Sequence, residues 1–138
     1  MWKWRWLNIA NNKPKNLGKK FENEIKIALE KVEGTSFERM RDMTMYRGSG
    51  LIADFSIYKY PNKLFLECKS VQGGTLPRAN ISDNQLYGMY KEHKKRGVNA
   101  GIIVWYVKYD KTIYIPIREI YRVLEKEKQK SIKYRDIN

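Results

Sequence analysis

The residues best suited to chemistry are Asp54, Glu67 and Lys69, all within one stretch, LIADFSIYKYPNKLFLECKS, at residues 51–70. Two carboxylates held a few ångströms apart repel each other and invite a divalent cation. Mg²⁺ prefers oxygen ligands and lets water fill the positions the protein does not supply. A lysine beside such a pair can orient or polarise an attacking water, or offset charge on a phosphate. The competing reading is a solvated ion cluster with a weak salt bridge. Leu64, Phe65, Leu66 and Cys68 surround Glu67 with apolar sequence, and a charged Glu-x-Lys in a buried strand is costly without a purpose.

For these side chains to meet, the stretch must fold back on itself. Apolar and β-branched runs flank Tyr60-Pro61-Asn62-Lys63, so a β-hairpin is predicted, with Pro61 and Asn62 at the two central turn positions. Paired positions then set Asp54 opposite Lys69 and diagonal to Glu67, with all three on one face. A turn one residue longer would point Cys68 at Asp54 instead.

The 138 residues suffice for one domain with a single core. A formal charge of +13 favours a polyanionic partner, nucleic acid above all, over a neutral substrate. The single Cys68 has no cysteine partner for a disulfide or a zinc site, which fits a reducing, cytoplasmic setting. No apolar run approaches the ~20 residues needed to cross a bilayer, and the basic start lacks the apolar core of a secretion signal.

Residues 1–16 read as a basic arm in which Trp2, Trp4 and Trp6 alternate with Lys3 and Arg5. Such an arm could pack on the body or a partner subunit, stack on unpaired bases, or touch a membrane surface. Residues 17–138 read as the domain proper, with a basic, loosely ordered tail. A first helix is expected from Leu17 or Gly18, with Phe21, Ile25, Ala28, Leu29 and Val32 inward and Gly34 as the stop. Glu22 lies at the rim of its buried face. An arginine-rich strand carrying Arg39, Arg41 and Arg47 precedes Gly48-Ser49-Gly50 and the hairpin. Residues 71–80 read as a flexible loop bearing Arg78. Ser82 and Gln85 have capping-box spacing, so a second helix should follow and end at Gly97. Lys94 and Lys95 crowd its last turns, and Lys19 and Lys20 open the first helix; these cations complete a candidate DNA-binding set. AGIIVWYV at 100–107 has the continuous apolar run of a strand buried on both faces. Another strand to Ile117 and a last helix to Glu127 complete a mixed α/β sheet flanked by helices.

Asp54, twelve intervening residues, then Glu67-Cys68-Lys69 resembles the PD-(D/E)xK nuclease superfamily, with Ala53 where many members have proline. Gly18-Lys19-Lys20-Phe21-Glu22, Ala53-Asp54-Phe55, Glu67-Cys68-Lys69-Ser70, Gly74-Thr75-Leu76-Pro77-Arg78, Asp83-Asn84-Gln85, GIIVWY and Lys130-Ser131-Ile132-Lys133 follow in order. Together they resemble a RecU-type Holliday junction resolvase, with the archaeal resolvases as close cousins. The resemblance implies a restriction-endonuclease-like fold and a homodimeric endodeoxyribonuclease that resolves four-way junctions. It implies Mg²⁺, with Mn²⁺ as a substitute. Asp54 and Glu67 would bind metal, with the Cys68 carbonyl as a further ligand; Lys69 would assist catalysis. Glu22 would join or support the metal site, and Gln85 would support it from the second helix. A nuclease of other DNA specificity, or a non-catalytic DNA-binding protein, is the alternative.

Overall fold

A computed structural model describes residues 16–40 and 51–134. The Trp2, Trp4, Trp6 arm, Arg41, Arg47 and the Gly48-Ser49-Gly50 loop lie outside the described residues. The first helix, α1, runs Leu17–Glu30 and buries Phe21, Ile25 and Leu29. It stops earlier than expected: Val32 lies beyond it, and Gly34 takes its positive φ of 73° in the turn that follows. Strands β1 (Ser36–Arg39), β2 (Phe55–Lys59) and β3 (Asn62–Val71) form an antiparallel meander.

The predicted hairpin is present, but its turn is displaced by one position. Lys59 pairs with Asn62, so Tyr60 and Pro61 are the central residues. The apolar match explains the choice: Phe55 faces Leu66 and Ile57 faces Leu64, and all four pack on the α1 side. The expected register would instead have set Lys59 against Leu64. A shift of two in pairing keeps every side chain on its face. Continued past the ladder, this register brings Asp54 beside Glu67, with Lys69 on the diagonal.

β3 also pairs in parallel with β5 (Val98–Tyr106), from Lys63↔Val98 to Val71↔Tyr106. A parallel pair needs a crossover, and helix α2 (Asp83–His93) supplies it. α2 stops at His93, short of the expected Gly97 and before Lys95, and Gly97, at φ 76°, instead turns the chain into β5. Antiparallel β6 (Lys111–Pro116) closes a five-stranded sheet of order β1-β2-β3-β5-β6. Helix α3 (Ile117–Tyr121) continues into a wider π turn over Arg122–Lys126.

The alternation of side chains across the sheet makes two cores. Leu66, Ile103 and Trp105 face α1. Phe65, Val71, Ile102, Val104 and Tyr106 face α2 and α3, where Leu86, Met89, Ile117 and Ile120 cover them. β5 is therefore apolar on both faces, as its sequence predicts.

Two expectations for loops are corrected. Within 71–80, Thr75–Pro77 is a strand, β4, and within the tail Ser131–Lys133 is its antiparallel partner, β7. Leu76 and Ile132 are buried at their centre. Each segment alone is short and polar; burial of these apolar side chains against each other and the α2-side core orders both. No helix among the described residues is long and apolar enough to cross a membrane.

Candidate active site

Asp54 is held from three sides. Its N–H donates to the Leu66 carbonyl at 3.1 Å, and its own carbonyl accepts from Met40 N–H at 2.7 Å. Its Oδ2 accepts from the Cys68 N–H at 2.9 Å. The carboxylate thus takes the place of a strand partner on the edge of β3, just where the β2 ladder has ended at Phe55↔Leu66. This contact fixes the side chain on the rigid sheet.

Glu67 points from β3 to the α2 side, opposite Ile102 of β5. At 4 % exposure it is the buried charged residue among the described ones. Its Oε1 accepts from Gln85 Nε2 at 2.9 Å and lies 3.3 Å from Lys69 Nζ. Burial, and then the charge of Asp54, pushes the Glu67 carboxyl up to about 8. Burial likewise raises Asp54 above the usual carboxylate range, against the Cys68 N–H bond that lowers it. One lysine does not offset two neighbouring carboxylates, one buried and one half-buried, that repel each other when both are ionised.

That imbalance is the structural argument for a cation. Among the described residues no group of three or more His, Cys, Asp and Glu side chains is arranged to hold a metal. The donor set is a carboxylate pair, which suits Mg²⁺: this ion commonly takes one or two carboxylates and fills its other positions with water and substrate phosphate. The residues present fit such an ion.

α2 reaches the pair because the helix begins beside it. Ser82 Oγ accepts from Gln85 N–H at 3.1 Å and Ser82 N–H donates to Gln85 Oε1 at 3.1 Å, completing the predicted capping box. Further along, a Cβ on Gly88 would fall 2.4 Å from Ile52 Cγ2. The missing side chain lets α2 lie against the segment that leads into Asp54.

The structure brings together Asp54, Glu67, Lys69 and Gln85. Glu22 is committed elsewhere: its Oε1 accepts from Arg39 Nε at 2.7 Å and pairs with Arg39 NH2 at 2.7 Å. From there it still raises the cost of ionising Asp54 and Glu67. Cys68 turns its side chain to the α1 core, where burial, then Asp54, pushes the thiol up; its N–H donates to Asp54.

Of the candidate DNA-binding cations, Arg39 is held by Glu22, Arg78 by Asp83 at 2.7 Å and Lys95 by Glu92 at 2.8 Å. Lys94 lies over the Tyr90 ring at 4.4 Å. Lys19 is exposed and Lys20 half-buried on α1. Sequence reasoning gave Ser82 only the role of a helix cap. The capping-box spacing was the available signal for more, since the box fixes the same glutamine that touches Glu67.

No curated protein sequence matches the chain. A solved structure of Hjc, a Holliday junction resolvase from the archaeal hyperthermophile Archaeoglobus fulgidus, superposes with a TM-score of 0.60 at 16% identity, over 84% of this chain and 88% of that one. At that identity the likeness concerns the fold alone. The family model described as Recombination protein U matches residues 52–138, from two positions before Asp54 onward. The chain therefore belongs to the RecU family of recombination proteins.

Proposed function

We propose that the protein is a divalent-metal-dependent endodeoxyribonuclease that resolves four-way DNA junctions by paired nicks, acting as a homodimer. The observation that carries the proposal is the pair of half-buried Asp54 and buried Glu67, with Lys69 beside it, on the central sheet of a RecU-family chain. Fold likeness to a Holliday junction resolvase supports the substrate class. A two-fold dimer suits it, because each subunit can cut one of two symmetry-related strands.

Asp54 and Glu67 would hold Mg²⁺, or Mn²⁺ in its place, which when bound supplies positive charge for the phosphate and acidifies nearby water. The chain's own groups do the rest. Cys68 N–H fixes Asp54, and Gln85 fixes Glu67, so the two carboxylates keep their spacing. The Lys69 ammonium, 3.3 Å from Glu67 Oε1, stands where it can orient water or meet charge developing on the scissile phosphate. The excess of cations supplies phosphate contacts that do not read sequence.

The test is cleavage of a four-way junction, a fork and a linear duplex of the same sequence, each with Mg²⁺ and with EDTA. Symmetric nicks in the junction alone, dependent on Mg²⁺, are expected. Equal cutting of the duplex would reassign the substrate; products in EDTA would overturn the metal-dependent mechanism.

A further inference from the structure

A glutamine amide has a carbonyl oxygen on one side and an NH₂ on the other, of nearly the same shape and opposite hydrogen-bonding sense. Only the NH₂ can support Glu67 in the ionised form that would hold a metal; the oxygen would set another acceptor against that carboxylate. What decides the orientation is visible in the structure. Ser82 N–H donates to Gln85 Oε1 at 3.1 Å, and Nε2, on the other side of the amide, donates to Glu67 Oε1 at 2.9 Å. We infer that Ser82 is a positioning residue of the metal site: its main-chain N–H fixes which end of the Gln85 amide meets Glu67. The inference rests on reading Asp54 and Glu67 as the metal-binding pair.

The two roles of Ser82 reside in different atoms. Oγ caps the helix by accepting from Gln85 N–H, whereas the main-chain N–H orients the amide. Ser82→Ala removes the cap and keeps the orienting donor. Ser82→Pro removes both, and the backbone admits it. Ser82 already has φ −70° and ψ 158°, and Ile81 before it is extended at φ −111° and ψ 115°. A third variant, Gln85→Met, deletes the amide and leaves the Ser82 Oγ cap in place.

The experiment uses the full chain, with Mn²⁺ as the calorimetric probe and the thermal midpoint as a control. Ser82→Ala is expected to lose about 3–5 °C and to bind Mn²⁺ within about 2-fold of wild type, less than the loss of one hydrogen bond would cause. Ser82→Pro is expected to weaken Mn²⁺ by about 3- to 10-fold, and Gln85→Met by at least about 10-fold. In the Gln85→Met background Ser82→Pro should have no further effect on Mn²⁺. Equal Mn²⁺ affinity in the alanine and proline variants, or an undiminished proline effect without Gln85, overturns the inference.

If Ser82→Pro does not fold, amide hydrogen exchange decides. Ser82 N–H should exchange faster in Gln85→Met than in wild type, and an unchanged rate overturns the inference. Wild-type protein that binds no Mn²⁺ overturns it together with the metal pair. Wild-type protein that binds Mn²⁺ but leaves four-way junctions uncut overturns the resolvase reading alone, and the Mn²⁺ comparisons still judge Ser82.

Discussion

Glu67→Gln should stabilise the metal-free protein above neutral pH and change it little in acid. The Glu67 carboxyl ordinarily loses its proton near 4.5, and in the fold it is held up to about 8, first by burial and then by Asp54. The folded state therefore grips the proton more tightly than the unfolded chain. Below the ordinary value both states carry it and the stability is fully present; as pH rises through about 8 the folded state must ionise, and that stability is lost. A rise of this size is equivalent to ~5 kcal/mol at its upper limit. At 4 % exposure, solvent screening removes little of it. Asp54 is raised too, so the carboxylates titrate as a pair and share the cost. About 2 kcal/mol is a reasonable share for the substitution, or roughly 5–10 °C in midpoint. The assay is differential scanning calorimetry in EDTA at pH 5, 7 and 9, comparing wild type with the variant. The wild-type midpoint should fall toward pH 9 and that of the variant should fall less. Mg²⁺ should restore the wild type by ~2.7 kcal/mol at a hundredfold excess over its dissociation constant, and the variant by less. Equal midpoint differences at pH 5 and pH 9, or a variant weaker than wild type at pH 9, would refute the reasoning.

Asp54→Asn should abolish junction cleavage and leave junction binding within a few-fold, measured by gel shift, because binding comes from phosphate contacts. Binding should also fall steeply with salt: on a plot of log affinity against log salt concentration, a flat line contradicts a role for the +13 charge. Gly88→Ala should lower the cleavage rate, since its new methyl group must displace Ile52, two residues from Asp54; an unchanged rate would show that this close approach is slack. Phe21→Ala should cost ~3–5 kcal/mol in urea unfolding, as Phe21 is 1% exposed and packs against Trp105 at 5.9 Å between ring centroids.

The parts of this fold that were legible in the sequence are those set by local chemistry. The α2 start is written in Ser82 and Gln85 and the double burial of β5 in an unbroken apolar run, whereas Gly97, expected to end α2, lies beyond that helix and turns the chain into β5. The shared face of Asp54, Glu67 and Lys69 was legible because strand alternation survives a register shift of two. The register itself was not, since it depends on how Phe55 and Ile57 match Leu66 and Leu64 under a helix the hairpin does not contain. The partners of β4 and β7 lie far apart in sequence, and neither has a period of its own. Glu22 shows the same limit: its place on α1 was predictable, but its capture by Arg39 from β1 is a tertiary contact.

The β4–β7 pair has a consequence for the order in which the molecule becomes functional. β4 leads directly into the segment carrying Ser82, and Arg78 N–H donates to the Lys130 carbonyl at 2.8 Å while Tyr134 N–H donates to the Gly74 carbonyl at 2.8 Å. Glu67 and Gln85 are synthesised well before β7, so on the ribosome they exist for a time without the strand that braces their approach. A contact of such long sequence separation forms late. The clasp can therefore close only after Ser131–Lys133 has been made, later than every residue of the candidate site.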